Sequence, residues 1–245
     1  MEKTFLVFIP VYNEEDTIGE IVEQIRQLPY NTDILVIDDG SSDGTRGLLN
    51  QMRGIRVLFH EKNLGYGQTL IDGFLWASEQ AYDYLITIDS DKQHQPGEIP
   101  LFIKKAEQGL WDIISGSRYL KASGKDYLEA PTDRVKVNQR ITQKINQLTG
   151  YQLTDTFCGF KMYRVQGLQK LHLTETDYGM PLQLWVQAWK NQLSVTEVPV
   201  KLIYFDHRVP RATAFPTFRR YRYYLQILEK EIHKHETTDI SGTSR

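Results

Sequence analysis

Short apolar runs alternate with longer segments of helical periodicity along the first half of the chain. The apolar runs lie at residues 5–9, 33–40, 55–60 and 84–88. After the first run, apolar side chains recur at spacings of three and four between residues 18 and 28, which predicts an amphipathic helix. Strands that alternate with helices in this way indicate a mostly parallel sheet with helices on its faces.

The second half of the chain is less regular. We predict a strand at residues 112–119, a helix at 135–150 that ends at Gly150, and a late strand at 194–205. The stretch 119–132 has no period and is expected to be a mobile loop. The expected organisation is one domain over 1–210, an amphipathic helical extension over 211–235 and a disordered tail over 236–245.

Composition and charge narrow the class of protein. The chain has 245 residues, enough for one sizeable core, and its 29 Lys and Arg against 31 Asp and Glu create no general attraction to nucleic acid. The single cysteine, Cys158, cannot form an internal disulfide, and no run of about 18 apolar residues occurs. We therefore expect a cytoplasmic protein whose contact with a membrane, if any, is peripheral, at the cytoplasmic face.

Two carboxylates follow the fourth apolar run. Asp89 and Asp91 flank Ser90, and alternation along a strand would direct both side chains to the same side. Such a pair repels itself unless a cation lies nearby, and oxygen ligands suit Mg²⁺ or Mn²⁺. An isolated motif of this kind would more often be a solvated acidic turn.

A second acidic pair, Asp38 and Asp39, closes the second apolar run. In an open parallel sheet, ligands bind beyond the carboxyl ends of the strands, so the segments PVYNEE, DDGSSDGT and DSDKQH should border one crevice. Asp43 and Thr45 in the second segment have two interpretations, since Ser, Asp and Thr are also ordinary at turns and helix starts.

Six motifs in this order resemble those of family 2 glycosyltransferases. They are PVYNEE, VIDDGSSDGT, NLGYGQT, DSDKQHQP, GSR and DTFCGFKMYR, and the similarity covers roughly residues 4–205. The resemblance is greatest to the dolichol-phosphate mannose synthase-like branch, which includes bacterial polyprenyl-phosphate sugar transferases. It implies a GT-A fold, that is, a Rossmann-like, mostly parallel sheet with flanking helices.

The resemblance also implies a reaction and a set of site residues. A hexose would pass from GDP-mannose or UDP-glucose, with inversion and with Mg²⁺ or Mn²⁺ bound, to an acceptor for which a polyprenyl phosphate is expected. The residues implied for the base and ribose are Pro10, Tyr12, Glu14, Ile37 and Asp39. Those implied for the diphosphate and metal are Asp89, Ser90, Asp91 and Gln93, with Asp89, Asp91 and Gln93 as metal ligands.

Arginines are the candidates for binding phosphate. Arg118, in GSR, can grip phosphate oxygens with two parallel hydrogen bonds, although it could instead be a surface residue. Arg134 and Arg208 are assigned to the acceptor phosphate by resemblance alone. In this region the sequence departs from the pattern of its relatives. They commonly carry Arg, Gly, Ser and Lys after the EVPV strand, whereas this chain reads DHRVPRATAF. The acceptor's identity therefore stays open.

A second departure concerns a general base. Relatives often carry a Glu where this chain has Gln183, Leu184 or Trp185. A phosphate acceptor needs no base, since it is already anionic, whereas a hydroxyl acceptor would need one. For a hydroxyl acceptor Asp177 is the candidate catalytic base, with an N-cap of the following helix as its structural alternative.

The stretch after residue 215 predicts an amphipathic helix. Its apolar stripe comprises Phe218, Tyr221, Leu225, Leu228 and Ile232, and Arg219, Arg220 and Arg222 lie near its start. The stripe could contact a membrane peripherally, or it could pack on the domain or on a second subunit.

Two functions of other classes stay open at this stage. A nucleotidyltransferase would also use a metal and an α/β sheet, but no Gly-rich, Lys-bearing loop separates the first strand from the first helix. A non-catalytic nucleotide-sugar-binding protein would retain the same carboxylates. Cys158 is expected to pack in the core rather than act as a nucleophile, and His94 has no Cys or His partner at zinc-site spacing, so neither residue supports a site.

Overall fold

The structure is a computed structural model that describes residues 3–120, 132–203 and 217–234. Its strands are β1 Phe5–Val11, β2 Thr32–Asp38, β3 Arg56–Phe59, β4 Tyr84–Thr87, β5 Ile113–Ser117, β6 Lys161–Arg164 and β7 Val195–Pro199. Its helices are α1 Ile18–Arg26, α2 Thr45–Gln51, α3 Tyr66–Glu79, α4 Ile99–Glu107, α5 Thr132–Thr149, α6 Val165–Leu168, α7 Met180–Lys190 and α8 Thr217–His233.

The strands form one mixed sheet in the order β3-β2-β1-β4-β6-β5-β7. Strands β1 to β4 pair in parallel, and β5 pairs in parallel with β7. The predicted mostly parallel sheet is confirmed. Strand β6 was not predicted, and it is antiparallel to both of its neighbours. Its first three residues are all buried, so it lacks the alternation of polar and apolar positions that identifies a strand in a sequence.

Side chains of the central strand enter two cores, one on each face of the sheet. Leu6 and Phe8 pack with α3, α5, α7 and α8, whereas Val7 and Ile9 pack with α1, α2 and α4. This is the period of two expected of a strand that is buried on both faces. The sheet is therefore held rigidly, and the loops at its carboxyl edge are fixed by it.

Helix α8 packs on the domain through most of the predicted stripe, because Tyr221, Leu225, Leu228 and Ile232 all contact the core. Tyr224, Ile227 and Leu228 join the core beside α5 and α7, whereas Phe218, which we placed in the stripe, is 73% exposed. The buried face also includes the polar residues Arg220 and Glu231, which the apolar pattern did not predict. Of the alternatives for this helix, packing on the domain is the one that the structure shows.

Polar contacts hold α8 to α7. The Glu231 carboxylate accepts hydrogen bonds from Gln183 Nε2 at 2.9 Å and from Gln187 Nε2 at 2.6 Å. Lys190 Nζ donates to the backbone carbonyls of Glu231 and Ile232. Gln183, at a position where relatives often carry Glu, is thus a buried structural residue that faces α8.

Several predictions fall on other parts of the chain. Arg208, most of the predicted loop at 119–132, the two proposed domain boundaries and the tail after residue 235 lie outside the described residues. None of the described helices has the length and hydrophobicity needed to cross a bilayer.

Candidate active site

The carboxyl ends of β1, β2 and β4 border a cavity of about 410 Å³, which α5, α7 and α8 close on the other side. We call it the active-site cavity. The predicted site residues that line it are Pro10, Tyr12, Glu14, Asp39, Asp89, Ser90, Asp91, Gln93, Arg118, Arg134 and Asp177. Ile37 is the exception among the described ones, because its side chain is fully buried in the core below the cavity.

Asp89 and Asp91 lie together on the cavity wall. Tyr66 donates its hydroxyl to Asp89 Oδ1 at 2.9 Å, and the backbone N–H of Gln93 donates to Asp91 Oδ1 at 3.0 Å. Burial raises the pKa of both carboxyl groups, and the charge of Asp89 raises the pKa of Asp91 further. A cation between them would relieve this repulsion.

The donor set fits a divalent metal that is shared with a ligand. In the described part of the chain no group of three or more His, Cys, Asp or Glu side chains is arranged to hold a metal. Two carboxylates, supplemented by phosphate oxygens and water, are a usual environment for Mg²⁺. The backbone at Gly159 lies against the Asp89 carboxylate and leaves no room for a side chain, since a Cβ there would lie 2.1 Å from Asp89 Oδ2.

Asp39 holds the loop between β3 and α3. Its Oδ1 accepts hydrogen bonds from His60 Nδ1 and from the backbone N–H of Leu64, both at 2.8 Å, and its Oδ2 accepts one from Gly65 N–H at 3.0 Å. Three of about four acceptor positions are thus used by described residues, which leaves one on Oδ2 for a ligand. Gly65 has φ +103°, and a Cβ there would lie 2.4 Å from the carbonyl oxygen of Thr176.

The loops after β1 and β2 are tied to each other. Thr45 Oγ1 accepts from Glu14 N–H at 2.8 Å, and Asn13, which has φ 56°, bonds to Ser41 and Ser42. Asp43 Oδ1 accepts from Thr45 N–H at 3.0 Å. These contacts give Asp43 and Thr45 a structural role, which is one of their two predicted interpretations.

Arg118 forms a bidentate pair with Asp155. The distances are 2.7 Å from Nε to Oδ2 and 3.0 Å from Nη2 to Oδ1, and the Arg118 side chain is 15% exposed. Burial raises the pKa of Asp155, but the charge and hydrogen bonds of Arg118, with the hydrogen bond from Asn138 and the charge of Lys161, outweigh this effect and lower it to about 2. The alternative that Arg118 is a surface residue is therefore wrong. The ion pair with Asp155 holds the guanidinium of Arg118 in the cavity wall.

Asp177 lies exposed at the start of α7. Its Oδ1 accepts a hydrogen bond from Tyr178 N–H at 2.8 Å, and the N-cap position is Gly179, without a side-chain cap. The N-cap alternative for Asp177 is therefore not what the structure shows. The side chain instead forms part of the cavity wall.

Cys158 is buried, as predicted, and His94 beside it is buried as well. Burial lowers the pKa of His94 to about 4 and raises the pKa of the Cys158 thiol to about 12. At neutral pH the imidazole is uncharged and the thiol is protonated, so neither group carries charge into the site.

Many residues of the cavity region were not predicted, and four of them carry or contact charge: Tyr66, Asp155, Lys161 and Arg220. The first three lie within motifs that were quoted, so their motif membership was the available signal. Lys161 is 2% exposed, and burial lowers its pKa. Arg220 carried no separate signal, because Arg219 and Arg222 beside it look the same in the sequence.

Comparison with known proteins gives consistent matches. The family model described as glycosyl transferase family 2 matches residues 6–171. The chain is 30% identical over 203 residues to a polyprenol monophosphomannose synthase of Mycolicibacterium smegmatis, which covers 80% of this chain and 76% of that protein. It is 27% identical to an undecaprenyl-phosphate mannosyltransferase of Micrococcus luteus, over 81% of this chain and 83% of the relative.

Solved structures share the architecture. One is glucosyl-3-phosphoglycerate synthase of Mycobacterium tuberculosis, with a TM-score of 0.70 and 19% identity over 94% of this chain and 80% of that one. The same enzyme in complex with Mn²⁺, UDP and glucosyl-3-phosphoglycerate superposes with a TM-score of 0.68 at 18% identity, over 94% and 80% of the two chains. This likeness confirms the predicted GT-A fold.

Proposed function

Since the chain belongs to glycosyl transferase family 2, we propose that it transfers a hexose from GDP-mannose or UDP-glucose to a polyprenyl phosphate. The names of its relatives support a polyprenyl-linked acceptor, because both the mycobacterial and the micrococcal proteins are named for sugar transfer to such lipids. The enzyme would work at the cytoplasmic face of a membrane, where this acceptor is available.

One observation carries the proposal: the carboxylate pair Asp89 and Asp91 shares a single cavity with the buried cation Arg118. The carboxylates are suited to the metal side of a nucleotide diphosphate, and the guanidinium is suited to a phosphate. A bound Mg²⁺ or Mn²⁺ would neutralise the charge that develops on the diphosphate leaving group.

The residues around this pair would position the donor. Tyr12 lines the cavity and can pack its ring on the base, and Asp39 Oδ2 can accept one hydrogen bond from the base or ribose. In the reaction, an acceptor phosphate oxygen would bond to the anomeric carbon as the bond to the diphosphate oxygen breaks. An in-line attack of this kind inverts the anomeric centre, and it needs no general base.

A soluble hydroxyl acceptor is the second candidate. The observation that favours it is the exposed carboxylate of Asp177 on the cavity wall, which could take the proton of an attacking hydroxyl. In that case Asp177→Asn would abolish turnover, whereas with a phosphate acceptor the variant would retain most of its rate.

Calorimetric titration of GDP-mannose and UDP-glucose with and without Mn²⁺ tests the proposal, followed by incubation with a short polyprenyl phosphate and mass spectrometry of the product. We expect Mn²⁺-dependent binding of one donor and a sugar-phosphate lipid product. Asp91→Asn should lose the Mn²⁺-dependent binding, while Asp33→Asn, an exposed carboxylate at the other end of β2, should not. Full turnover by Asp91→Asn would refute the metal assignment, and donor binding without any transfer would favour a non-catalytic binding protein.

A further inference from the structure

Arg220 lies in the active-site cavity although it comes from α8, beyond the residues that the family model matches. Its side chain is 8% exposed, whereas Arg219 and Arg222 on the same helix are exposed. A buried guanidinium at the wall of a cavity requires a partner, because an unpaired buried charge is costly.

The described partners satisfy Arg220 only in part. Its Nη2 donates to Asp133 Oδ2 at 3.0 Å, and the Asp133 side chain is 47% exposed. Its Nε is buried and has no acceptor among the described residues. An ion pair with a half-exposed carboxylate does not explain why the guanidinium is buried at the cavity, and the unmet Nε donor indicates a further acceptor there.

The surroundings of Arg220 combine positive charge with an apolar wall. Arg134 lines the same cavity, and the rings of Phe157 and Tyr224 pack with their centroids 4.7 Å apart beside it. Burial raises the pKa of Tyr224, and the positive charges of Arg220 and Arg134 oppose that rise. Apolar and aromatic residues of α5, α7 and α8, together with Phe157, also line the cavity: Val137, Phe157, Met180, Pro181, Leu184 and Tyr224.

We propose that Arg220 is an acceptor-binding residue, whose guanidinium binds the phosphate of the acceptor while the apolar wall holds the carbon chain next to it. Helix α8 would then complete the acceptor side of the cavity as well as pack on the domain. This inference rests on the proposed function, since it assumes that the carboxylate side of the cavity takes the nucleotide sugar. The shared chemistry is a phosphate monoester, which could belong to a lipid or to a soluble molecule.

The test compares Arg220→Gln and Arg220→Lys with the matched controls Arg219→Gln and Arg222→Gln in the full chain. A charge-assisted hydrogen bond is worth enough to change affinity by about tenfold or more. We expect Arg220→Gln to raise the acceptor KM by about that factor with an unchanged donor KM, and Arg220→Lys to restore part of the loss. Both controls should behave like the wild type, because their side chains do not line the cavity.

A direct binding measurement tests the role of Arg220 independently of the proposed transfer reaction. Farnesyl phosphate and 3-phosphoglycerate are titrated into the wild type and the variants with Mn²⁺ and the matching nucleoside diphosphate present. If the wild type binds farnesyl phosphate but forms no sugar-phosphate lipid when GDP-mannose or UDP-glucose replaces the nucleoside diphosphate, the proposed function fails. Weaker binding of farnesyl phosphate by Arg220→Gln would still support the role of Arg220. A stronger effect of the substitution on 3-phosphoglycerate would assign the phosphate to a soluble acceptor.

Three results would overturn the inference: acceptor binding by Arg220→Gln within twofold of the wild type, an equal loss in the two control variants, or no binding of either probe by the wild type. Thermal unfolding checks the fold of each variant. If Arg220→Gln does not fold, Arg220→Lys decides, because it keeps the charge but cannot reproduce the planar donor geometry of Arg. An acceptor KM for Arg220→Lys equal to that of the wild type would then count against the role of Arg220.

Discussion

Replacing Asp155 with Asn should destabilise the protein through Arg118. The substitution keeps the size of the side chain but removes the charge that Arg118 Nε and Nη2 face at 2.7 and 3.0 Å. Asn138 Nδ2 also donates to Asp155 Oδ1, at 2.7 Å. In the variant, a buried guanidinium would lack its counter-charge, and an amide would have to present both of its polar ends to donors.

The structure sets the magnitude of this loss. The pKa of Asp155 falls from 3.8 to about 2, because the opposing effect of burial is outweighed by the charge and hydrogen bonds of Arg118 together with the hydrogen bond from Asn138 and the charge of Lys161. At about 1.4 kcal/mol for each tenfold change in proton affinity, ionised Asp155 stabilises the fold by roughly 2.5 kcal/mol. Removing one partner of a buried ion pair typically costs about 3–5 kcal/mol. Both figures predict that Asp155→Asn lowers the free energy of unfolding by about 3 kcal/mol at pH 7.

The loss should depend on pH in one direction. Because the pKa is lower in the folded state, the stabilisation is fully present above pH 3.8 and is lost as the pH falls through about 2. The positive charges of Arg118 and Lys161 act on Asp155, while Glu197, whose Oε1 accepts from Asp155 N–H at 3.1 Å, lies on its other side. The difference between wild type and variant should therefore be constant from pH 8 to 5 and shrink below pH 4.

Urea unfolding followed by tryptophan fluorescence measures this difference. Trp185 is a suitable probe, since it is fully buried and donates to the carbonyl of Thr156, next to Asp155. The control is Glu23→Gln, which removes an exposed pair with Arg26 at 3.7 Å and should change the free energy of unfolding by less than about 0.5 kcal/mol. If Asp155→Asn lowered the free energy of unfolding by no more than this control does, the argument from burial would be wrong.

Two further predictions concern a glycine and the cysteine. Gly65→Ala should lower the free energy of unfolding by about 1–3 kcal/mol more than Gly150→Ala. Both glycines have a positive φ, but only at Gly65 would a Cβ meet backbone atoms. Equal losses of the two variants in urea unfolding would contradict the proposed clash. Cys158 is fully buried with a pKa of about 12, so Ellman's reagent should react with it only after unfolding, and rapid reaction with the native protein would contradict this burial.

Local patterns predicted the parallel part of the sheet because β1, β2 and β4 are continuous apolar runs that end in polar residues. They also predicted that Asp39, Asp89 and Asp91 share one crevice, which follows from strand direction alone. They did not predict β6, whose buried residues include Lys161. The family resemblance, rather than a local pattern, placed Ile37 in the donor site, and its side chain lies in the core below the cavity.

Sequence patterns were enough to predict the fold class, the family and the carboxylate pair, since each is carried by short segments of neighbouring residues. Tertiary structure decided what distant residues do: it paired Arg118 with Asp155, turned Gln183 toward Glu231, and brought Arg220 of α8 into a cavity formed mainly by the first 180 residues. The physical reason is that burial of a charged side chain depends on the elements packed around it, and the spacing of residues within one helix does not contain that information.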